Sequence, residues 1–365
     1  MTTRVTDPTR PRAAARLPIV ALAVVVGLGN SWAAAPPASA STTTTPPSAP
    51  PHAGIWRIWP LPTIPDAFPS GAAFIDGTDG SRTFAGSCGD RAALWRDGKV
   101  INLGVSGTAL DVNRHGDAVG FQIDDQMSMR AALWHEGVTT WFAGPPGMGA
   151  SHATGVNDAG LVVGWAQVPD PARAGGSVHA MVWSTASPSA FQDLGTLDEN
   201  PTETAFLTGV SEDGTLVGYT VNQDTFVERA VIGTARTGLH ELFGTVPGFS
   251  VQALGIAGRF IVGAQILPNG TVQGLLWENR RPRALPTPPG ASGAEAHDVN
   301  SHGTALGSSW VDALVWPLGA THPIVLPKLP GTDRTVPSAI TEDDVIGGIA
   351  STPDMFTVPV TWSRR

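Results

Sequence analysis

One short pattern recurs along this chain and limits the folds that it can adopt. Its clearest copy is residues 109–120, A-L-D-V-N-R-H-G-D-A-V-G, in which two short apolar runs flank the polar break N-R-H-G. Short runs with β-branched members, bounded by Asn, Asp and Gly, are typical of β-strands. The break suits a tight hairpin, because Asn can hydrogen-bond its own backbone and Gly can adopt a positive φ. The pattern therefore predicts a β-hairpin.

The hairpin pattern occurs seven times. The close copies are residues 153–164, 207–218 and 296–307, and the weaker ones are residues 73–86, 253–263 and 338–348. A third apolar run follows each copy and ends in tryptophan in every unit except one, where Gly233 takes its place. These tryptophans are Trp95, Trp134, Trp183, Trp277, Trp316 and Trp362. The repeat length is about 44 residues, and a period of about 40–45 residues with four strands per unit is typical of β-propellers.

Four strands are predicted in each unit, which we call strands a, b, c and d in chain order. Strand a is the first apolar run of the hairpin, strand b is the second, strand c ends in the tryptophan, and strand d is the next run, such as residues 100–103. The string G-V-S-G that starts at Gly104 is expected to be a loop. The small residues of strand a suit a crowded position near a central axis. The tryptophans are expected to pack between neighbouring blades, since each buries a large apolar area and its N–H needs one partner.

The two ends of the repeat region each lack part of a unit. The last unit ends at Trp362 with strands a, b and c, whereas residues 55–61 resemble a strand d that has no a, b or c before it. Pairing these segments would complete the last unit and remove an open sheet edge. The sequence therefore predicts an all-β fold, a seven-bladed β-propeller of four-stranded antiparallel blades, closed by pairing of the N-terminal strand with the C-terminal blade.

The repeats resemble those of the extracellular HAF-repeat proteins, whose units carry a His-Ala-Phe-like tripeptide before a Trp and an I-N-x-x-G-x-x-x-G core. His179-Ala180-Met181 before Trp183 is the nearest match to the tripeptide, and residues 156–164 match the core. The resemblance covers about residues 55–362. It implies an exported repeat protein, and it implies no catalytic residue, because the family brings no established biochemical activity.

The first 40 residues have the features of a secretory signal peptide. Four arginines precede an apolar run at residues 17–29, and Ala38-Ser39-Ala40 is a small-x-small cleavage site. The apolar run is shorter than the roughly 20 residues that a membrane span needs, so cleavage is favoured over an uncleaved anchor. Residues 41–54 then form a Thr/Pro-rich linker, and the predicted propeller occupies residues 55–365. The mature protein is expected to be secreted, monomeric and without a membrane span.

The charge of the chain limits its partners. Only 15% of the residues are charged, the formal net charge is −9, and it becomes −12 once four arginines and one aspartate leave with the signal peptide. An acidic surface with few lysines argues against nucleic acid and against anionic membranes. Cys88 is the only cysteine, so the fold cannot depend on an intrachain disulfide. A half-buried position in a strand or turn is favoured for Cys88 over a reactive thiol or an intermolecular bridge.

The sequence contains no catalytic, cofactor or metal motif that we recognise. The D-V-N-x-x-G strings at Asp111 and Asp298 faintly resemble a calcium loop, but they lack its third carboxylate and its final Glu. His152 and His297 lie near strand a and could face a central channel; ordinary core histidines are the alternative. An enzyme would be indicated by two carboxylates about 5–10 Å apart in a channel mouth, with shifted pKa values.

The longest insertions fall in the b–c and d–a loops, which share one face of a propeller. These insertions hold the candidate ligand residues Asp124, Asp125, Asp170, Asp198, Glu199, Asn222 and Asp224. Two interpretations stay open: a ligand-binding face that could depend on a cation, and ordinary solvated loop charge. The leading hypothesis is a non-catalytic binding module for an extracellular glycan or protein. The alternatives are a hydrolase or lyase acting on an extracellular polymer and a structural cell-surface protein.

Overall fold

A computed structural model describes residues 55–67, 73–171, 173–197 and 202–364. The predicted signal peptide and the linker lie outside these residues. The described part of the chain forms strands and turns and no helix, so it holds no helix that is long and apolar enough to cross a membrane. The predicted all-β class is confirmed.

Twenty-seven strands follow one another along the described ranges. They are β1 (Trp56–Pro60), β2 (Ala73–Thr78), β3 (Thr83–Cys88), β4 (Arg91–Arg96), β5 (Lys99–Val112), β6 (Ala118–Ile123), β7 (Met129–His135), β8 (Val138–Trp141), β9 (Ser151–Val156), β10 (Leu161–Asp170), β11 (Arg173–Ser184), β12 (Phe191–Gly195), β13 (Glu203–Val210), β14 (Leu216–Asn222), β15 (Glu228–Thr234), β16 (Gly238–Glu241), β17 (Val251–Ala257), β18 (Phe260–Ile266), β19 (Val272–Glu278), β20 (Arg281–Ala284), β21 (Glu295–Val299), β22 (Ala305–Ser308), β23 (Ala313–Trp316), β24 (Ile324–Val325), β25 (Arg334–Ile340), β26 (Ile346–Ser351) and β27 (Thr357–Arg364).

The strands pair antiparallel in five four-stranded sheets and one seven-stranded sheet. Four of the four-stranded sheets are β9–β12, β13–β16, β17–β20 and β21–β24, and the seven-stranded sheet is β2–β8. The fifth four-stranded sheet has the order β1-β27-β26-β25, in which the first strand of the chain lies beside the last. Trp56 is opposite Arg364 and Pro60 is opposite Val360. The predicted pairing of residues 55–61 with the C-terminal strand is therefore confirmed.

The long strand β5 belongs to two four-stranded units. Its first half pairs with β4, and residues 107–112 pair with β6. The predicted loop at Gly104 is therefore wrong, because strand d of one unit continues directly into strand a of the next. Gly104 adopts a positive φ of 85°, and the N–H of Gly107 donates to the carbonyl of Asp90 at 3.0 Å. The chain thus bends towards the next unit while it keeps its backbone hydrogen bonds.

Neighbouring units pack through their first strands and their tryptophans. The second half of β5 is the first strand of the second unit, and each first strand contacts the next in the order β2, β5, β9, β13, β17, β21 and β25, with β25 also contacting β2. Between the second and third units, for example, Val119 and Phe142 share one apolar cluster with Met181 and Trp183. This confirms the prediction that the tryptophans pack between neighbouring units.

Five of the six repeat tryptophans donate their N–H to a backbone carbonyl in the connection that precedes their unit. The pairs are Trp95 with Pro62 at 2.7 Å, Trp183 with Ala143 at 2.6 Å, Trp277 with Phe243 at 2.7 Å, Trp316 with Pro286 at 2.8 Å and Trp362 with Pro327 at 2.8 Å. The Nε1 of Trp134 is buried and has no partner among the described residues. Its unit is the one that β5 enters without a separate connection.

Every first strand contains a β-bulge opposite a glycine of the second strand. In the second unit, Ala109 pairs with Gly120 and Asp111 pairs with Val119, so Leu110 is the extra residue. The bulged residues are Asp76, Leu110, Thr154, Thr208, Leu254, His297 and Ser338. A Cβ on Gly120 would lie 2.0 Å from the carbonyl oxygen of Thr108. The last glycine of the repeated pattern is therefore required by the close approach of the first strand.

Candidate functional site

The bulged residues surround a cavity of about 260 Å³. The first strands of all seven units and the hairpin turns that follow them form its wall. A bulge adds one residue to a strand and re-aims the side chains around it. The chemistry of the cavity is therefore decided mainly by the bulged residue of each unit and by the residue after it.

Two carboxylates in the cavity wall connect neighbouring units. An oxygen of Asp111 accepts the N–H of Val156 at 2.9 Å, and an oxygen of Asp298 accepts the N–H of Ile340 at 3.0 Å. Burial raises the pKa of Asp111 to about 8 and that of Asp298 to about 7, although these hydrogen bonds act in the opposite direction. A Cβ on Gly77 would lie 2.7 Å from a carboxylate oxygen of Asp111. The absence of a side chain at Gly77 therefore leaves room for the carboxylate of Asp111.

Asp76 also lies in the cavity wall, and its carboxyl lacks such donors. Its Oδ2 is buried and has no hydrogen-bond partner among the described residues. Burial raises the pKa of Asp76 to about 7, which is close to neutral pH. Asp76 can therefore accept or donate a proton inside the cavity.

The two histidines near the first strands have different surroundings. His297 lies in the cavity wall, with Nδ1 3.0 Å from the carbonyl of Pro337 and Nε2 3.0 Å from Glu295. Burial is the largest single effect and disfavours the charged ring, but the hydrogen bond to Glu295 and its charge, together with the carbonyl of Pro337 and the charge of Asp298, outweigh it and raise the pKa of His297. His152 is buried between the rings of Phe121 and Trp165, at centroid distances of 4.2 and 4.3 Å, and burial lowers its pKa to about 3. His152 is therefore a core residue.

The hairpin turns between the first and second strands lie at one end of the strands, which we call the turn face. Asn113 accepts the N–H groups of His115 and Asp117, each at 3.0 Å, and donates from Nδ2 to the carbonyl of Asn157 at 3.1 Å. Asn157 donates in the same way to the carbonyl of Ser211 at 3.0 Å. The asparagine of the repeated pattern thus closes its own turn and binds it to the next one.

Charged groups continue these links around the turn face. The backbone N–H of Arg114 donates to Asp158 at 2.9 Å, and the N–H of Asp158 donates to Glu212 at 3.0 Å. The N–H of Glu342, in the last unit, donates to the carbonyl of Gly80 in the first at 2.9 Å. The polar groups of this face are therefore largely engaged with one another.

The loops between the second and third strands lie at the opposite end, which we call the loop face. Three of them expose large apolar side chains at their tips: Met127 is 82% exposed, Phe226 is 74% exposed and Met355 is 85% exposed. These residues have positive φ values of 62°, 56° and 65°. Trp310, in a fourth loop, has a φ of 62° and is 41% exposed. Positive φ is uncommon for residues other than glycine.

A fifth loop, between β18 and β19, has glycine at the corresponding tip position, Gly270. In the loops of Met127, Met355 and Gly270, the tip residue donates its N–H to the carbonyl three residues before it, at 2.8–2.9 Å. Gly270 has a φ of 79°. Methionine therefore occupies, in two units, a position where glycine would fit without strain.

Five of the seven residues that the sequence nominated for ligand binding are described by the structure, and these five do not line the cavity. Asp124 accepts the N–H groups of Gln126 and Ser128, each at 2.9 Å, so it stabilises its own loop. Asn222 accepts the N–H of Asp224 at 3.0 Å in the same way. Asp125 and Asp224 are exposed near the loop tips, and Asp170 ends β10 opposite Arg173. Asp198 and Glu199 lie outside the described residues.

The described residues also bear on metal binding and on the single cysteine. The part of the chain that the structure describes has no group of three or more His, Cys, Asp or Glu side chains arranged to hold a metal ion. Cys88 is buried, and its Sγ accepts the N–H of Ile64 at 3.1 Å. Sequence reasoning missed Asp76 and the apolar loop tips. The signal for the tips was present, since large apolar residues stand in turns that call for glycine.

Two solved structures resemble the described fold. The β-propeller domain of the Trilobed protease from Pyrococcus furiosus is 9% identical with a TM-score of 0.50, covering 80% of this chain and 95% of that one. A puromycin-hydrolyzing peptidase from Mycobacterium tuberculosis is 13% identical with a TM-score of 0.50, covering 82% of this chain and 55% of that one. No family model and no curated protein matches the chain. At these identities the likeness shows a propeller-like fold alone.

Proposed function

We propose that the chain is an exported, closed seven-bladed β-propeller that acts as a non-catalytic interaction module through its loop face. Three observations support seven blades in a ring: β5 supplies strands to two units, β25 contacts β2, and β1 completes the last sheet. Export is supported by the sequence of residues 1–40, and the resemblance to HAF-repeat proteins agrees with it.

The observation that carries the proposal is the exposure of large apolar residues at left-handed turn positions. The left-handed conformation costs roughly 1–2 kcal/mol for a residue other than glycine. In the isolated chain no hydrophobic burial offsets this cost at Met127, Phe226 and Met355, because their side chains bury little area. Binding of another molecule would bury them, and methionine and aromatic residues are enriched in interfaces.

A crosslinking experiment tests this proposal. A photoreactive phenylalanine analogue replaces Phe226 on the loop face or, as the control, exposed His302 on the turn face. The mature protein is irradiated in the medium of the cells that produce it. We expect adducts from position 226 alone, and their mass spectra would identify a glycan or a protein. Equal labelling at both positions, or none at 226, would contradict the proposal.

Ring closure has its own test. Deletion of residues 55–61 removes β1, the outer strand of the last sheet, and exposes the edge of β27. An unpaired strand edge promotes association, so this variant should aggregate or lose cooperative unfolding. Deletion of residues 41–51, in the predicted linker, is the control and should leave unfolding unchanged. If both variants melt like the mature chain, the closed ring is wrong.

An enzyme is the second candidate, favoured by the cavity carboxyls. Asp76, Asp111 and Asp298 have raised pKa values, as general acids often do. Asp111 and Asp298 already accept N–H groups from neighbouring units, which leaves Asp76 as the carboxyl available for proton transfer. Release of reducing ends from extracellular polysaccharides, abolished by Asp76→Asn, would support catalysis. Activity that survives Asp76→Asn would place catalysis elsewhere.

A further inference from the structure

The apolar tips of the loop face are accompanied by carboxylates. Asp125 stands two residues before Met127, Asp224 stands two residues before Phe226, and Asp354 directly precedes Met355. Among the described residues these three aspartates form no ion pair; the acidic side chain of the Trp310 loop, Asp312, is paired with Lys328 at 2.9 Å. The loops at residues 124–128, 223–227 and 352–356 contain no Lys or Arg.

This combination of groups selects among possible partners. Carboxylates at the tips repel anionic lipid headgroups and nucleic acid. Sugars bind well to the flat faces of aromatic rings, and two of the three most exposed tips are methionines, which have no ring face. Methionine adapts to irregular apolar surfaces of polypeptides. Unpaired carboxylates beside it are complementary to Lys and Arg.

We infer that the loop face binds a cationic amphipathic polypeptide. Its apolar side chains would contact Met127, Phe226 and Met355, and its Lys or Arg side chains would pair with the neighbouring aspartates. The inference rests on the proposed function and adds the class of partner to it. The charge pairs would increase the association rate, and the apolar contacts would slow dissociation.

Three synthetic peptides serve as probes for the immobilised mature protein. The first is an 18-residue amphipathic helix of Leu and Lys, the second has Glu in place of Lys, and the third has Ser in place of Leu. We expect the Leu/Lys peptide to bind at least about 10-fold more tightly than either of the others. Its affinity should fall as salt is added, because salt screens exposed charge pairs.

Two triple variants separate the apolar contribution from the charged one. Met127→Gly, Phe226→Gly and Met355→Gly together remove the apolar side chains while they relieve the left-handed strain, so the protein should fold at least as well. Binding of the Leu/Lys peptide should fall at least about 10-fold. Asp125→Asn, Asp224→Asn and Asp354→Asn together should weaken binding at low salt and remove most of its salt dependence. Asp97→Asn, in an exposed turn at the other end of the strands, is the control and should change nothing.

Each other outcome has a distinct meaning. If the glycine variant binds all peptides as the parent does, the peptides bind elsewhere on the protein and the inference is wrong. If the glycine variant loses binding and the asparagine variant keeps it, binding through the loop face is supported, but the inference that the partner is cationic is wrong. If phosphatidylcholine vesicles bind the parent but not the glycine variant, the partner is a lipid surface and the inferred polypeptide is wrong. If the parent sediments as a dimer and the glycine variant does not, the partner is a second copy of this chain. Failure of the parent to bind the Leu/Lys peptide overturns the inference, while crosslinking at position 226 still decides the proposed function.

Discussion

The turn face and the loop face are the two ends of the same strands, and they use their side chains differently. On the turn face, Asn113, Asn157 and Asp158 bind backbone groups of their own turn or of a neighbouring unit. On the loop face, Asp124 and Asn222 stabilise their own loops, and Met127 and Met355 extend into solvent. The turns therefore join the units, whereas the loop tips are exposed and can contact other molecules.

The largest expected effect comes from the glycines between the two faces. Gly164→Ala would place a Cβ 1.9 Å from the carbonyl oxygen of His152. This oxygen belongs to the backbone, so it cannot move away unless the bulged strand changes its conformation. We expect a loss of more than about 3 kcal/mol in the free energy of unfolding, measured by urea denaturation. The control is Gly137→Ala, which has open space around the new Cβ but a positive φ of 79° and should cost only about 1 kcal/mol. A Gly164→Ala variant as stable as the control would contradict the bulge geometry.

The links across the turn face give the next largest effect. Asn157→Ala removes both the acceptor for the N–H of Leu161 and the donor to the carbonyl of Ser211, in a buried site. We expect a loss of about 1–3 kcal/mol in thermal or urea unfolding. Asn157→Asp keeps the acceptor and removes the donor, so it isolates the link between units. His115→Ala, at an exposed position of a turn, should cost less than about 0.5 kcal/mol. Equal costs for Asn157→Ala and His115→Ala would show that the side chain of Asn157 does not stabilise the link between the turns.

A pH effect should be confined to the cavity. Burial raises the folded-state pKa of Asp76 from 3.8 to about 7. The favourable contribution of this carboxyl to the free energy of unfolding is therefore present below about pH 4 and is lost as the pH rises through 7. Asp76→Asn should therefore be more stable than the parent by at least about 1 kcal/mol at pH 8, with no such advantage at pH 4. Asp354→Asn, at an exposed position of the loop face, is the control and should change the free energy of unfolding little. A pH-independent effect of Asp76→Asn would show that burial does not shift this carboxyl.

The smallest effect is a gain on the loop face. Met355→Gly relieves a left-handed backbone at a φ of 65°, although glycine also increases the entropy of the unfolded chain. The net result should be a stabilisation of about 0.5 kcal/mol, seen as a small rise in Tm. Val138→Gly, which removes an exposed apolar side chain from strand β8, should instead destabilise the chain. A destabilising Met355→Gly would mean that this methionine serves the fold.

The strands could be predicted from the sequence because the pattern that makes them is local. Asn and Gly in the break of residues 113–116 specify the hairpin, and the predicted pairing of the two ends followed from counting strands. The fusion of two strands in β5 could not be predicted, because glycines at 104 and 107 suit a loop as well as a bent strand.

The candidate site was harder to predict, because it depends on register. A bulge of one residue decides that Asp76 and His297 lie in the cavity wall while His152 lies in the core. The sequence does not show such a shift, since the bulged residue is Asp, Leu, Thr, His or Ser in different units. The aspartates of the loops were noticed for their charge, and the apolar residues beside them were overlooked because exposed apolar side chains cannot be told from buried ones by composition.

The antiparallel pairing of β1 with β27 also has a mechanical consequence. Trp56 and Arg364 lie at the same end of this pair, opposite each other. A pulling force applied to these two ends would load the hydrogen bonds one after another, so the strands would separate pair by pair at low force. In a shear arrangement all the bonds would carry the load together. Tension on the two ends of the chain should therefore first detach β1 and expose the edge of β27, while the five other sheets keep their packing.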